Sequence, residues 1–221
     1  MPKPLILLTR PEGASRRFAA QVEALGGECV IAPLMRIVAV PHDSARLHAA
    51  RRLVLTSVHA VPAAGPGAGR MAFCVGPATA QAARDAGFEV VEGPGDAARL
   101  APMLAGEAGL LHPHGHHVTA GLPVEGMVVY DQIALPLPES GCAVLAGARP
   151  VLLPLFSPRS ARLARAAIEG ATAPVQPLAI SAAAAADFGD WPTQPPVAQT
   201  PDADGMLALI RQRLVAWAGG L

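Results

Sequence analysis

The chain has 221 residues, 52% of them hydrophobic and only 15% charged, and its 17 basic and 17 acidic residues leave a formal net charge of +0. That balance argues against a nucleic-acid binder, which carries a basic surplus, and no apolar run approaches the roughly 20 residues that a membrane-spanning helix needs. Lys3 is the sole lysine, so a phosphate-loop or Schiff-base lysine within the fold is excluded, and any anionic ligand falls to Arg, hydroxyls or main-chain N–H groups.

In chain order, Leu5–Leu8 predicts a buried strand and Glu12–Leu25 a helix, on the spacing of Phe18, Val22 and Leu25. Gly26-Gly27 closes that helix. Cys29–Ala32 reads as a second strand and Met35–Val40 as an extended piece after Pro33. Leu5–Leu8 is too short for a signal-peptide core, so a cytoplasmic location is expected. Leu53–Leu55 predicts a strand entering Thr56-Ser57. Gly65–Gly69 reads as a loop tip; it follows no strand and Pro66 interrupts it, which rules out a dinucleotide loop. Ala72–Val75 predicts a strand entering Gly76-Pro77, Thr79–Ala86 a helix, and Glu89–Val91 a strand. Ala97–Leu104 reads as a helix weakened by Pro102, and Leu110-Leu111 as a short strand entering a loop at His112–Gly115. Met127–Ile133 is extended. Val151–Leu153 predicts a strand before Phe156–Ser160, Ala161–Ile168 a helix, and Pro177–Ile180 a strand before Ser181. Ala182–Ala186 starts a helix, Trp191–Pro196 is a surface connector, and Val197-Ala198 is a short strand. Asp204–Trp217 is an amphipathic helix capped by Asp202 or Asp204.

Alternating strands and helices predict parallel sheets with helices on both faces, and ligands of such sheets lie beyond the carboxyl ends of the strands. The candidate site is therefore the set Thr9-Arg10, Thr56-Ser57, Gly76-Pro77, His112–Gly115, Phe156–Ser160 and Ser181. Cys29, Cys74 and Cys142 are isolated, without CxxC spacing, and read as small buried hydrophobes in a reducing compartment. His112, His114, His116 and His117 form a cluster. No Cys, Asp or Glu joins it locally, so an anion-binding or exposed loop is preferred to a metal site. Trp191 and Trp217 read as packing residues.

Several of these segments match one family in order. Leu7-Leu8-Thr9-Arg10-Pro11 with Leu25-Gly26-Gly27 resembles the opening of uroporphyrinogen-III synthases. Leu55–Val61 resembles their T-S-x-N-A-V segment with His59 in place of Asn, Val75–Ala80 their V-G-x-x-T-A helix start, and Val129-Tyr130 their V-Y segment. Phe156–Ala161 resembles their second strand-end loop. The resemblance spans nearly the whole chain, with one departure: Ile180–Ala186 stands where an I-G-x-x-T-A segment is usual, and lacks its Gly and Thr.

What the resemblance implies is an α/β fold with two parallel-sheet, flavodoxin/Rossmann-like lobes joined by a two-stranded connector hinge. Lobe 1 would be residues 1–34 plus 137–221, lobe 2 residues 53–127, and the connectors 35–52 and 128–136, with the active site in the cleft. The implied enzyme is a cyclising hydro-lyase without a cofactor. It turns hydroxymethylbilane into uroporphyrinogen III, with loss of water and inversion of ring D. It would act as a monomer, with transient hand-over of substrate from hydroxymethylbilane synthase and no nucleic-acid or membrane partner.

The substrate so implied is a flexible polyanion. Helix N-termini suit its carboxylates, and Gly76 and Gly115 allow close backbone approach. Thr9, Thr56, Ser57, Thr79, Ser157, Ser160 and Ser181 offer hydroxyls, and Arg10 a charge-assisted bond. His59 reads equally as a carboxylate partner or a helix cap. Tyr130, the sole tyrosine, is the candidate acid that helps hydroxide leave. Two rival functions stand beside this one: a catalytically degenerate tetrapyrrole- or anion-binding regulatory module, motivated by the Ala182–Ala186 run, and a two-lobed small-anion binder of the periplasmic type.

Overall fold

A computed structural model of the chain describes residues 2–118 and 121–219. The chain runs β1 (Leu5–Leu8), α1 (Glu12–Ala24), β2 (Glu28–Ile31), β3 (Met35–Ala39), α2 (Ser44–Ala49), β4 (Arg52–Leu55), α3 (Val61–Ala64), β5 (Met71–Cys74) and α4 (Pro77–Asp85). It continues with β6 (Glu89–Glu92), α5 (Ala97–Leu100), β7 (Leu110–Gly115), β8 (Glu125–Ala134) and α6 (Glu139–Leu145). Last come β9 (Val151–Leu155), α7 (Pro158–Ala167), β10 (Val175–Ala179), α8 (Ala182–Ala185) and α9 (Ala203–Ala218). Two compact units result: Met1–Arg36 with Ala134–Leu221, and Ile37–Ile133.

The first unit is built on a four-stranded sheet ordered β10-β9-β1-β2, with every pairing parallel. Strand β1 is apolar throughout because both faces are covered. Leu7 packs with Leu153, Ala161, Ala164 and Phe188 on one side. Ile6 and Leu8 pack with Phe18, Val22, Met206 and Ile210 of α1 and α9 on the other.

The second unit holds a six-stranded sheet ordered β3-β8-β7-β4-β5-β6. Its β4, β5 and β6 pair in parallel, as do β4 with β7 and β7 with β8. The two-residue period of β4 again sorts the core. Leu53 and Leu55 face Ala80 and Ala83 of α4, while Val54 faces Leu100 and Leu104. Arg70 ties the loops below this sheet. Its guanidinium donates to the carbonyls of Leu47 (3.1 Å), His48 (3.2 Å), Ala50 (3.3 Å), Ala64 (2.5 Å), Pro66 (2.8 Å) and Gly67 (3.2 Å). The Gly65–Gly69 tip is thus a packed element. A Cβ on Gly67 would sit 2.2 Å from the Gly87 carbonyl carbon, so only glycine fits there.

Several expectations change. His112–Gly115 is strand and not loop: β8 pairs Leu111–His114 with Glu125–Val128. Gly126 leaves room for the His114 ring, where a Cβ would stand 2.6 Å from Nε2. Pro113 is tolerated because the ladder to β4 ends at Leu111. Ala97–Leu104 is an α-turn that tightens to a 3₁₀ turn at Ala101–Leu104, where Pro102 has no N–H to donate. Val197 makes only an isolated bridge to Ala179. Helices α2, α3 and α6 were not anticipated; each has only four to seven residues, too few to show a period. The two segments expected as an extended, two-stranded connector hold β3 and α2 (35–52) and most of β8 (128–136). Among the described residues, no helix is long and apolar enough to cross a membrane.

Candidate active site

The carboxyl ends of β4, β5 and β7 meet the middle of β8 around a cavity of about 610 Å³. Thr56 and Ser57 follow β4, Val75 follows β5, His114 and Gly115 end β7, and Tyr130 and Gln132 come from β8. Gly95–Ala98 at the start of α5, with His117 and Val118, complete the wall.

Tyr130 is 5% exposed and its ring lies flat against Gly115. A Cβ there would meet Tyr130 Cε2 at 2.5 Å and the hydroxyl at 3.0 Å. The register explains the pairing: His114 opposes Val128, but Gly115 opposes Tyr130, so β8 carries one extra residue. Such a bulge re-aims side chains beside a site. The His59 ring braces Tyr130 edge-on, with centroids 5.7 Å apart; His59 itself is not on the cavity wall.

His112, 3% exposed, is hydrogen-bonded through Nε2 to Thr56 Oγ1 at 2.9 Å. Its ring lies 4.9 Å from that of His114, whose Nδ1 is 2.8 Å from the Gly115 carbonyl. Burial, with the nearby His114, pushes the His112 imidazole down to about 4, so it is neutral at ordinary pH and anchors Thr56 on the wall. Ser57 Oγ accepts the His59 N–H at 3.2 Å, capping the short turn Val58–Ala60.

Asp96 and Gln132 were not anticipated. Asp96 caps α5, accepting the Arg99 N–H at 2.8 Å, and also pairs with the Arg99 side chain. These bonds hold its carboxyl below the usual range, so Asp96 stays ionised on the cavity wall, with its charge met by the Arg99 guanidinium. Asp96 directly ahead of the helical stretch that begins at Ala97 is a legible cap signal, and Gln132 shares a strand face with Tyr130 two residues away. Gly76 stands just outside the wall, beside Gly95, and Thr79 is buried in α4; neither lines the cavity.

The remaining predicted residues lie at the carboxyl edge of the first unit's sheet. Thr9 is 2% exposed, and its Oγ1 has no hydrogen-bond partner among the described residues. Arg10 stacks on Phe156 at 4.1 Å, and Phe156 packs edge-on to Phe18 at 4.9 Å. Desolvation, then repulsion from Arg17, lowers the Arg10 guanidinium to about 10; it remains a cation, and one that gains from an anionic partner. Ser157 and Ser160 form a reciprocal capping box on α7. Ser160 N–H donates to Ser157 Oγ at 3.1 Å and Ser157 N–H to Ser160 Oγ at 2.9 Å, while the Ser160 hydroxyl donates to the Ser157 carbonyl at 2.9 Å. Ser181 caps α8 by accepting the Ala184 N–H at 3.3 Å. These three serines are engaged in caps. Among the described residues, no group of three or more His, Cys, Asp or Glu is placed to hold a metal ion.

A family model described as uroporphyrinogen-III synthase HemD matches residues 16–208. No curated protein matches the sequence. Solved structures share the fold, among them two synthases. The uroporphyrinogen-III synthetase of Helicobacter pylori aligns with a TM-score of 0.66 at 15% identity, over 96% of this chain and 100% of that one. A mutant uroporphyrinogen III synthase of Thermus thermophilus aligns with a TM-score of 0.56 at 18% identity, over 96% and 99%.

Proposed function

We propose that this chain, which belongs to the uroporphyrinogen-III synthase family, closes hydroxymethylbilane to uroporphyrinogen III, with the reacting end of the substrate in the Tyr130 cavity. Members of that family are cyclising hydro-lyases of tetrapyrrole biosynthesis. The observation that carries the site assignment is the Tyr130 phenol, seated on Gly115 in the cavity wall beside the Thr56–His112 pair.

The pyrrole nitrogen pushes electrons toward the hydroxymethyl carbon and the C–O bond breaks. Hydroxide leaves as water with the Tyr130 proton, and a cationic azafulvene remains. The last ring then attacks through a spiro intermediate and is turned over, and the proton released on rearomatisation restores the phenol. Most of the protein's work is holding the chain in the inverting geometry. Thr56 and Ser57 receive substrate carboxylates in the cavity, with His59, Gly76, Thr79 and Gly115 shaping its surround. On the other unit, Thr9 and Arg10 receive carboxylates, with Ser157, Ser160 and Ser181 ordering the helix starts there. The three cysteines are unpaired, but only Cys74 is buried as expected, while Cys29 is part-buried and Cys142 exposed; desolvation raises Cys29 to about 12 and Cys74 to about 11, and free thiols accord with the reducing, cytoplasmic setting of this reading. A monomer receiving hydroxymethylbilane from its synthase completes this reading.

The test supplies fresh hydroxymethylbilane, oxidises the products and resolves their isomers. Spontaneous closure gives type I, so catalysis is read as type III. Tyr130→Phe is expected to lower the type III rate by about 10²–10⁴-fold, the range of a positioned acid. Type I alone at stoichiometric wild-type protein would replace this reading with a binding-only module.

A further inference from the structure

We propose that His112 is a positioning residue of the reaction: it donates its Nε2–H to Thr56 Oγ1 and thereby commits the Thr56 hydroxyl proton to the cavity. This rests on the catalytic reading above and adds to it the direction of one hydrogen bond.

Thr56 lines the cavity, whereas His112 stands behind the wall and is 3% exposed. Their side chains meet at 2.9 Å, between His112 Nε2 and Thr56 Oγ1. A neutral imidazole carries one proton, so this contact has two senses. With the proton on Nδ1, Thr56 donates to a bare Nε2 and shows only lone pairs to the cavity. With the proton on Nε2, His112 donates, and the Thr56 proton must find another acceptor.

The surroundings decide between the two. His112 Nδ1 has no hydrogen-bond partner among the described residues. The neighbouring His114 ring, 4.9 Å away, does not supply one, because its own Nδ1 faces the Gly115 carbonyl at 2.8 Å. A proton on His112 Nδ1 would thus be a donor without an acceptor, and in protein interiors an orphaned N–H is rarer than an under-satisfied acceptor. On Nε2 the same proton is bonded. The Thr56 hydroxyl has no second partner among the described residues, so its proton is left for a molecule in the cavity. Donation into Oγ1 also polarises that O–H and makes it a better donor.

The consequence is selectivity for an acceptor. An ionised carboxylate accepts and cannot donate, so a Thr56 held as donor suits an acid arm of the substrate, and a Thr56 showing lone pairs would repel it. His112 acts on the substrate through Thr56 and touches no reacting atom.

Two measurements on the full chain test this. Two-bond proton–nitrogen correlation spectra of the nitrogen-15-labelled protein at pH 7 show which ring nitrogen is protonated in each of the seven histidines, and the signals lost in His112→Gln assign His112. The expected result is a proton on Nε2 and a bare Nδ1. The second measurement is a double-mutant cycle on KM for hydroxymethylbilane in the type III assay. His112→Phe removes the donor and should raise KM about three- to tenfold with kcat within about twofold, the range of one hydrogen bond. His112→Gln returns an amide donor and should recover part of that rise. In a Thr56→Val background, His112→Phe should change KM by less than about twofold, because no hydroxyl is left to orient. A merely structural role would lower the folded fraction, and with it the apparent kcat, and leave KM alone. A proton on Nδ1, an unchanged KM in His112→Phe, or the same rise in KM in both backgrounds would overturn the proposal. If His112→Phe does not fold, the position of the proton decides. A wild type that forms no type III would refute the catalytic reading alone, and the spectra would still give the direction of the bond.

Discussion

The neutral, buried His112 makes a signed prediction about stability against pH. In the folded chain its imidazole is lowered from the ordinary 6.5 to about 4, so between those values the unfolded chain binds more protons than the folded one. Stability must therefore fall as pH drops through this window and level off below about 4. At about 1.4 kcal/mol per pKa unit, the whole effect is about 3 kcal/mol, and about 2 kcal/mol of it is lost between pH 7 and about pH 5. His112→Gln removes the titrating group and weakens the bond to Thr56. It should cost about 1–3 kcal/mol at pH 7, for a lost hydrogen bond and imperfect packing, and the deficit should shrink by about 2 kcal/mol at pH 5. Urea melts of both proteins at the two pH values measure this, provided the m-value is unchanged. A deficit that stays the same at both pH values would refute the claim that His112 is folded in its neutral form.

Gly115→Ala forces a methyl against the Tyr130 ring; it should cost about 1–3 kcal/mol by overpacking and cut type III formation at least about tenfold, with the far-ultraviolet circular dichroism unchanged. Arg70→Ala leaves six carbonyls without their shared side-chain donor and should destabilise by about 2–4 kcal/mol in urea melts. Arg70→Lys should restore less than half of that, because an ammonium cannot span the fork. Ser157→Ala removes one half of the α7 capping box and should cost about 1 kcal/mol of stability; a loss of catalysis much larger than the loss of folded protein would give Ser157 a direct substrate contact. Thr56→Val should raise KM by about ten- to a hundredfold with kcat little changed, as expected for one lost hydrogen bond to a carboxylate.

The amino-acid sequence by itself determined where the buried strands lie and which residues follow their carboxyl ends. An apolar run such as Leu5–Leu8 or Leu53–Leu55 can be satisfied only between two covered faces, and Thr9, Thr56 and Ser57 come next by chain continuity. It also determined the caps, since Ser157, Ser181 and Asp202 each hydrogen-bond a backbone N–H only three residues away. Tertiary structure alone decided the rest of the site. His112–Gly115 became strand because β8, a dozen or more residues on, supplied a ladder and a glycine opposite the His114 ring. Tyr130 reached the cavity because a one-residue bulge set it on Gly115, and Asp96 faced the same space because its helix starts there. Local pattern encodes burial and capping, which depend on near neighbours. The choice of strand partner, and with it which side chains share a cavity, depends on contacts between residues far apart in the chain, and no short-range period records it.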